Sequence, residues 1–306
     1  MPGVEDAALA TGVVLLVVGF AYAAFADLRD REVTDALWQG LGIAGFGLGF
    51  VTVMAGGAVP VVVWTAVGAL TLEHMFAWDE RLGPKLARFA DLIELVAYAL
   101  VIVLVGITLV RVGFGTSGVP PIALAVLVSV VFARILFEVG VLYGGADAKA
   151  LMIASLLVPI FSNPLLVSGR TATRIVAVFP FSIDLLMNAA LLSVTIPIVI
   201  TIRNVVRGDF SLSRGFTGYR LAVAELPRHY VWVRDSAYPS ARDLEHEVET
   251  SDEDRALRTR IARELAANGV REVWVTPQIP FLVLMAVGAF AALLAGNLVI
   301  DLIQWL

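Results

Sequence analysis

The sequence predicts an all-α polytopic membrane protein of about eight transmembrane helices, with a small α+β cytosolic domain before the last helix. Three observations predict it. Of 306 residues, 59% are apolar and only 16% charged, and mean hydropathy is +0.86, well outside the range of soluble domains. The apolar residues lie in runs of about 20, the length that crosses a bilayer, not in narrow periodic stripes. One hydrophilic stretch, 203–277, is long enough to fold separately.

The runs fall at roughly 7–26, 36–54, 58–77, 92–111, 120–142, 148–167, 174–202 and 279–305. The first carries Glu5 and Asp6 and no basic residue on its N-terminal side, the reverse of a cleaved signal peptide, so it is expected to stay as a helix. Gly56-Gly57 makes a tight turn between the second and third runs. The sixth is short and meets Pro159 and Asn163-Pro164. With the N-terminus outside, the inner connections carry Arg29, Arg31, Arg81, Lys85, Arg88, Lys149, Arg203 and Arg207, against Arg111, Arg170 and Arg174 outside. The positive-inside rule therefore puts the N-terminus out and 203–277 in the cytosol of a multi-pass cell-membrane protein. The domains read as a transmembrane bundle of about seven helices over 1–202, the cytosolic domain over 203–277 and a final helix over 278–306.

Within 203–277, strands are expected at 219–226, 230–233 and 271–276. Ser251 followed by Asp254 resembles a capping box, opening a helix that Asn268-Gly269 ends. The charges are mixed, with neither a basic stripe nor a glycine-rich phosphate loop, so this domain reads as scaffold or docking surface. A net charge of −5 and a pI near 5.3 argue against a nucleic-acid partner. Without cysteine, disulfides, thiolate metal sites and a cysteine nucleophile are excluded. Glu73-His74 has no partner at metal-ligand spacing, and three histidines in all give no metal site and no required cofactor.

Charged residues beside membrane spans are costly and need a reason. Asp27 follows the first run, and Asp147 stands after Gly144, Gly145 and Ala146 before the sixth. The loop charges place both at the cytosolic face. Two carboxylates held close share one proton, so one takes a proton from water while the other polarises a carbonyl. Each aspartate is equally explained as a helix end at the interface, and spacing leaves both accounts open. Arg134 and Glu138, four apart, are expected to pair, and Asp184 and Asn188 to bond between helices. Lys149 either tunes the aspartates or reaches lipid headgroups. Arg29, Arg31, Glu32 and Asp35 are by default solvated, with Glu32 and Asp35 also able to meet positive charge brought to this membrane edge.

The segment from Asp27 through Val33-Thr-Asp-Ala-Leu-Trp38, followed by Gly144-Gly-Ala-Asp-Ala-Lys-Ala-Leu-Met152, resembles the two catalytic blocks of archaeal type IV prepilin and preflagellin peptidases. These are intramembrane aspartic proteases related in motif to presenilins. Phe179-Pro180 with Asn188, and Trp274-Val-Thr-Pro-Gln-Ile-Pro-Phe281, match two further blocks in the family's order, across nearly the whole chain. The resemblance implies that Asp27 and Asp147 are the catalytic pair, that Gly144, Gly145 and Ala146 form the active-site loop, and that pilin or archaellin precursor signal peptides are cut in contact with membrane lipid. Ala146 replaces the glycine of the family's Gly-x-Gly-Asp form. Bacterial relatives carry a cysteine-rich loop and methylate their product; with no cysteine, methyltransferase activity is not expected. The pair of runs at 58–77 and 92–111 looks like an insertion. The rival readings are an ion- or proton-coupled transporter, against which no internal repeat is seen, and a non-catalytic membrane scaffold.

Overall fold

The computed structural model describes residues 2–54, 58–76, 89–112, 119–142, 144–161, 179–234 and 251–305. The Gly56-Gly57 turn, Asn163-Pro164, Arg81, Lys85, Arg88, Arg170, Arg174 and the expected ends at 77, 162–167 and 174 lie outside them. The chain is mostly helical: α1 (Pro2–Asp30), α2 (Asp35–Met54), α3 (Ala58–Phe76), α4 (Ala90–Val112), α5 (Val119–Glu138), α6 (Gly145–Leu157), α7 (Phe181–Ser193) and α8 (Thr195–Arg207) come first. Strands β1 (Tyr219–Ala222) and β2 (Val231–Val233), helix α9 (Ser251–Ala267), strand β3 (Glu272–Pro277) and helices α10 (Phe281–Ala295) and α11 (Leu298–Trp305) complete it.

Among the described residues, five helical stretches are long and apolar enough to cross a membrane: α1, α2, α4, α5 and the continuous α7–α8. The α10–α11 pair, bent by 59°, makes a sixth if counted as one span. Their apolar side chains are widely exposed, Leu95 and Leu100 at 65% and Val110 at 87%. Water does not tolerate so much contiguous apolar surface, whereas lipid does.

The chain divides into two compact units, one of residues 1–25, 33–189 and 281–306, the other of 26–32 and 190–280. At the centre of the first lies α6, whose residues from Ala150 to Leu157 are all buried. A helix apolar on all sides is stable only when neighbours cover every face, and α2, α3, α5 and α10 all pack on it. Small residues let them approach: a Cβ at Gly12 would stand 2.1 Å from the Leu157 carbonyl oxygen, and one at Gly45 3.0 Å from Leu156. Helices α3 and α4, the pair expected to be an insertion, pack within this unit. Trp64 of α3 is fully buried, stacks on Phe46 with ring centres 6.5 Å apart, and donates its indole N–H to the Phe46 carbonyl at 3.0 Å.

In the second unit, β3 is the middle strand of an antiparallel sheet ordered β1-β3-β2, with Leu221 opposite Val273 and Trp232 opposite Thr276. Leu221, Leu226, Val231, Ile261, Leu265, Val273 and Val275 form its core. The strand expected at 219–226 is shorter, because the chain turns into a 3₁₀ helix over Val223–Arg228 that carries Pro227, a residue unable to donate to a ladder. Helix α9 spans 251–267 as expected and ends where Gly269 takes φ +75°. The side chain of Ser251, expected to open a capping box, lies outside the described residues; the Asp254 carboxylate pairs with Arg258 and accepts from Gln278 at 3.3 Å.

Candidate active site

Asp147 stands in the first turn of α6, where the free backbone N–H groups favour a carboxylate. Gly144 precedes the helix with extended backbone, φ −97° and ψ 131°, and its carbonyl accepts the Asp147 N–H at 3.0 Å. That conformation suits any residue; the glycine is needed for space. A Cβ at 144 would meet Asp147 Oδ2 at 3.3 Å and its Cγ at 3.6 Å. A Cβ at Gly145 would meet nothing within 4 Å. Ala146 is half-buried and packs on the core, so the methyl group that departs from the family pattern has a place to go.

Asp27 occupies the last turn of α1. Its carboxylate lies 4.0 Å from the Arg31 guanidinium, and the two side chains are only 14% and 19% exposed. Arg31 is therefore not a solvated loop charge. It adopts φ +58°, the only non-glycine residue with positive φ among those described, in the left-handed position where a helix end usually places glycine. Its guanidinium sits 5.0 Å from the centre of the Tyr230 ring, and Arg258 sits 4.9 Å from the same ring. The Tyr230 hydroxyl donates to the Arg29 carbonyl at 3.3 Å. Burial pushes the Arg31 guanidinium below its usual value, with Asp27 the largest opposing influence and Tyr230, Arg258 and Asp254 the other charged or titratable neighbours.

The aspartates fall in different compact units, Asp27 with residues 190–280 and Asp147 with the helical bundle. Of the accompanying residues, the structure joins Lys149 to Asp35 in an ion pair of 2.5 Å, a partner that spacing did not suggest for either. Glu32 is exposed. Arg134 pairs with Glu138 at 2.9 Å, as expected, and also with Glu94 at 3.4 Å. Glu94 approaches Glu73 and His74, and the three offer ligand atoms within 4.8 Å of one another. Nε2 of that imidazole shares a 2.6 Å hydrogen bond with the Tyr98 hydroxyl and Nδ1 lies 3.7 Å from Glu73, so the cluster ties α3 and α4 together. A small open cleft of about 110 Å³ lies beside the start of α6, lined by His74, Arg134, Phe137, Gly145, Ala148, Lys149 and Met152.

Asn188 and Asp184 serve the bend in the last helix. Fully buried, Asn188 donates to the Gly296 carbonyl at 3.0 Å and accepts the Leu298 N–H at 2.9 Å. Asp184 accepts from Asn297 at 2.6 Å, whose own carbonyl oxygen caps Val299 and Ile300. The Arg31–Tyr230–Arg258 cluster was not foreseen. The spacings Asp27/Arg31 and Asp254/Arg258 are each i,i+4 and signal the two ion pairs; nothing in the sequence links Tyr230 to a residue 199 positions earlier.

The fold is that of a helical membrane protein with a carboxylate in an end turn of each of two helices, Asp27 in α1 and Asp147 in α6. Residues 212–298 match the family model described as archaeal peptidase A24 C-terminus, type II. The match supports the archaeal prepilin/preflagellin peptidase family, and with it a peptidase. It covers the sheet, α9 and α10, and so takes in Tyr230, Asp254, Arg258 and Gln278 but neither Asp27 nor Asp147. A comparison with curated proteins finds no match.

Proposed function

We propose that the protein is an intramembrane aspartic endopeptidase that removes the short basic leader from prepilin- or prearchaellin-like precursors at the cytosolic membrane face. The observation that carries this reading is the ordered set of four sequence blocks over nearly the whole chain, the last of which, Trp274–Phe281, lies within the family match over 212–298. The eight-span count takes α3 and α6 as short spans beside the five long stretches and the bent pair. In that arrangement the N-terminus is outside, and Asp27, Asp147 and the 203–277 domain face the cytosol.

In this mechanism the precursor's hydrophobic helix enters laterally beside α1, α5 and α6, and its leader junction unwinds between the two aspartates. Unwinding is required because a helical peptide bond is shielded by its own hydrogen bonds. One carboxylate takes a proton from water as the oxygen attacks the scissile carbonyl; the other gives its proton to the carbonyl oxygen. Collapse of the tetrahedral intermediate protonates the leaving nitrogen and restores the shared proton. The apparent titrations belong to the pair. The missing side chain at Gly144 supports this role, since a β-carbon there would stand 3.3 Å from Asp147 Oδ2 and crowd the carboxylate. The cleft beside α6 supports a role for the inserted helix α3 in the wall of the site.

Co-expression with a leader-bearing precursor, read by gel shift and N-terminal sequencing, tests the reading. Wild type is expected to remove the leader, while Asp27→Asn and Asp147→Asn, at normal membrane abundance, do not. Continued processing by both well-expressed variants would refute the aspartic mechanism, and transport altered by the same variants would favour the transporter.

A further inference from the structure

We infer that Arg31 is a positioning residue for Asp27, and that the C-terminal domain sets it through the Tyr230 ring. This rests on the reading of Asp27 as catalytic.

Four observations carry the inference. The segment 26–32, which ends α1 and holds Asp27, belongs to the same compact unit as residues 190–280. Arg31 sits in left-handed backbone, which a β-carbon disfavours; glycine would adopt it freely, so the side chain earns the position by what it touches. It touches Asp27 at 4.0 Å and the Tyr230 ring at 5.0 Å. Finally, Tyr230 is itself held: Arg258, buried and paired with Asp254, lies 4.9 Å from the centre of the same ring, and the Tyr230 hydroxyl donates to the Arg29 carbonyl.

The chemistry of the cluster is directional. Among the described residues, the buried Nε groups of Arg31 and Arg258 have no hydrogen-bond acceptor, which leaves the ring's electron-rich surface to face both cations. Two guanidiniums repel each other, and each is drawn outward by its own carboxylate, Asp27 for one and Asp254 for the other. Both guanidiniums share the Tyr230 ring, so the ring ties Arg31, and through it Asp27, to the Arg258–Asp254 pair. A cation beside one member of an aspartate pair favours its ionised form and biases where the shared proton rests. The domain thus acts on the chemistry from outside the bundle.

The test compares leader removal in membranes across pH for wild type, Asp27→Asn, Arg31→Gly, Arg31→Lys and Tyr230→Ala, with abundance and thermal stability measured for each. Arg31→Gly suits the left-handed backbone, so the variant stays folded. Its rate is expected to fall roughly 100-fold, the scale of a misplaced catalytic group, and the acid limb of the pH–rate profile to move to higher pH. Arg31→Lys restores part of the rate and of the limb. Tyr230→Ala shifts both in the same direction, and the Arg31→Gly/Tyr230→Ala double variant is no slower than Arg31→Gly alone. If Asp27→Asn is inactive while Arg31→Gly and Tyr230→Ala keep the wild-type rate and profile, the inference is wrong and the catalytic reading stands. A lost rate with an unmoved acid limb also overturns it. Activity in Asp27→Asn would instead overturn the catalytic reading.

Discussion

Gly144 is small because a carboxylate occupies the space its side chain would take. Alanine there keeps favourable backbone, so the cost falls on Asp147, whose Oδ2 must retreat by a few tenths of an ångström from a new methyl at 3.3 Å. Gly144→Ala is expected to change stability by less than about 0.5 kcal/mol and to slow leader removal roughly tenfold, a fraction of the loss that a full ångström brings. Parallel melting and cleavage curves check this; a melting loss with an unchanged rate would contradict it. Lys149 and Asp35 carry a different lesson. Joined to each other, and with Asp35 more than half exposed, they form the sort of surface pair that contributes at most about 1 kcal/mol. Their pairing answers first for structure.

The last apolar run was expected as one straight span, and the chain instead breaks it at Gly296-Asn297. Gly296 takes φ +84°, and the backbone groups freed by the break find partners in Asn188 and Asn297. Lipid offers no hydrogen bond, so every such group must be satisfied by protein. Asn188→Ala would strand the Gly296 carbonyl and the Leu298 N–H, costing about 1–2 kcal/mol, the range of interhelical hydrogen bonds in membranes. The expected result is a lower melting temperature in detergent and lower membrane abundance. An unchanged melt would mean that the bend does not depend on this residue. Helix α6 makes a complementary point: with 13 residues it rises only about 20 Å. Its stability comes from burial on all sides rather than from length.

The two compact units are stabilised by different physics, and perturbations should separate them. The bundle rests on close helix contacts and apolar burial; the other unit rests on a small sheet, α9 and one buried ion pair. Arg258 and Asp254 have side chains only 5% and 11% exposed. Asp254→Asn leaves the guanidinium buried without its anion, which costs about 3–5 kcal/mol. Faster amide exchange across α9 and β3 is expected, with α6 still protected. Equal loss of protection in both would show that the units unfold together. Through Tyr230, the same substitution is expected to reach Asp27.

Much of the helical layout was legible because membrane spans announce themselves in composition: a run of apolar residues has one cheap solution in lipid, a helix, whatever its neighbours are. The aspartates drew notice for the converse reason, since a charge at a membrane edge is costly, but their spacing left a helix end as good an account, and only the resemblance singled them out as a pair. The Asp27/Arg31 and Asp254/Arg258 pairs were within reach because helical spacing is local. Only the tertiary structure decided that α6 is the buried centre, that Lys149 answers Asp35, that Glu94 joins Glu73 and His74, and that Arg31 and Arg258 both meet the Tyr230 ring. Each of these depends on which helix faces which, or on a strand meeting a helix end 199 residues away. Local preference sets neither; packing of the whole chain does.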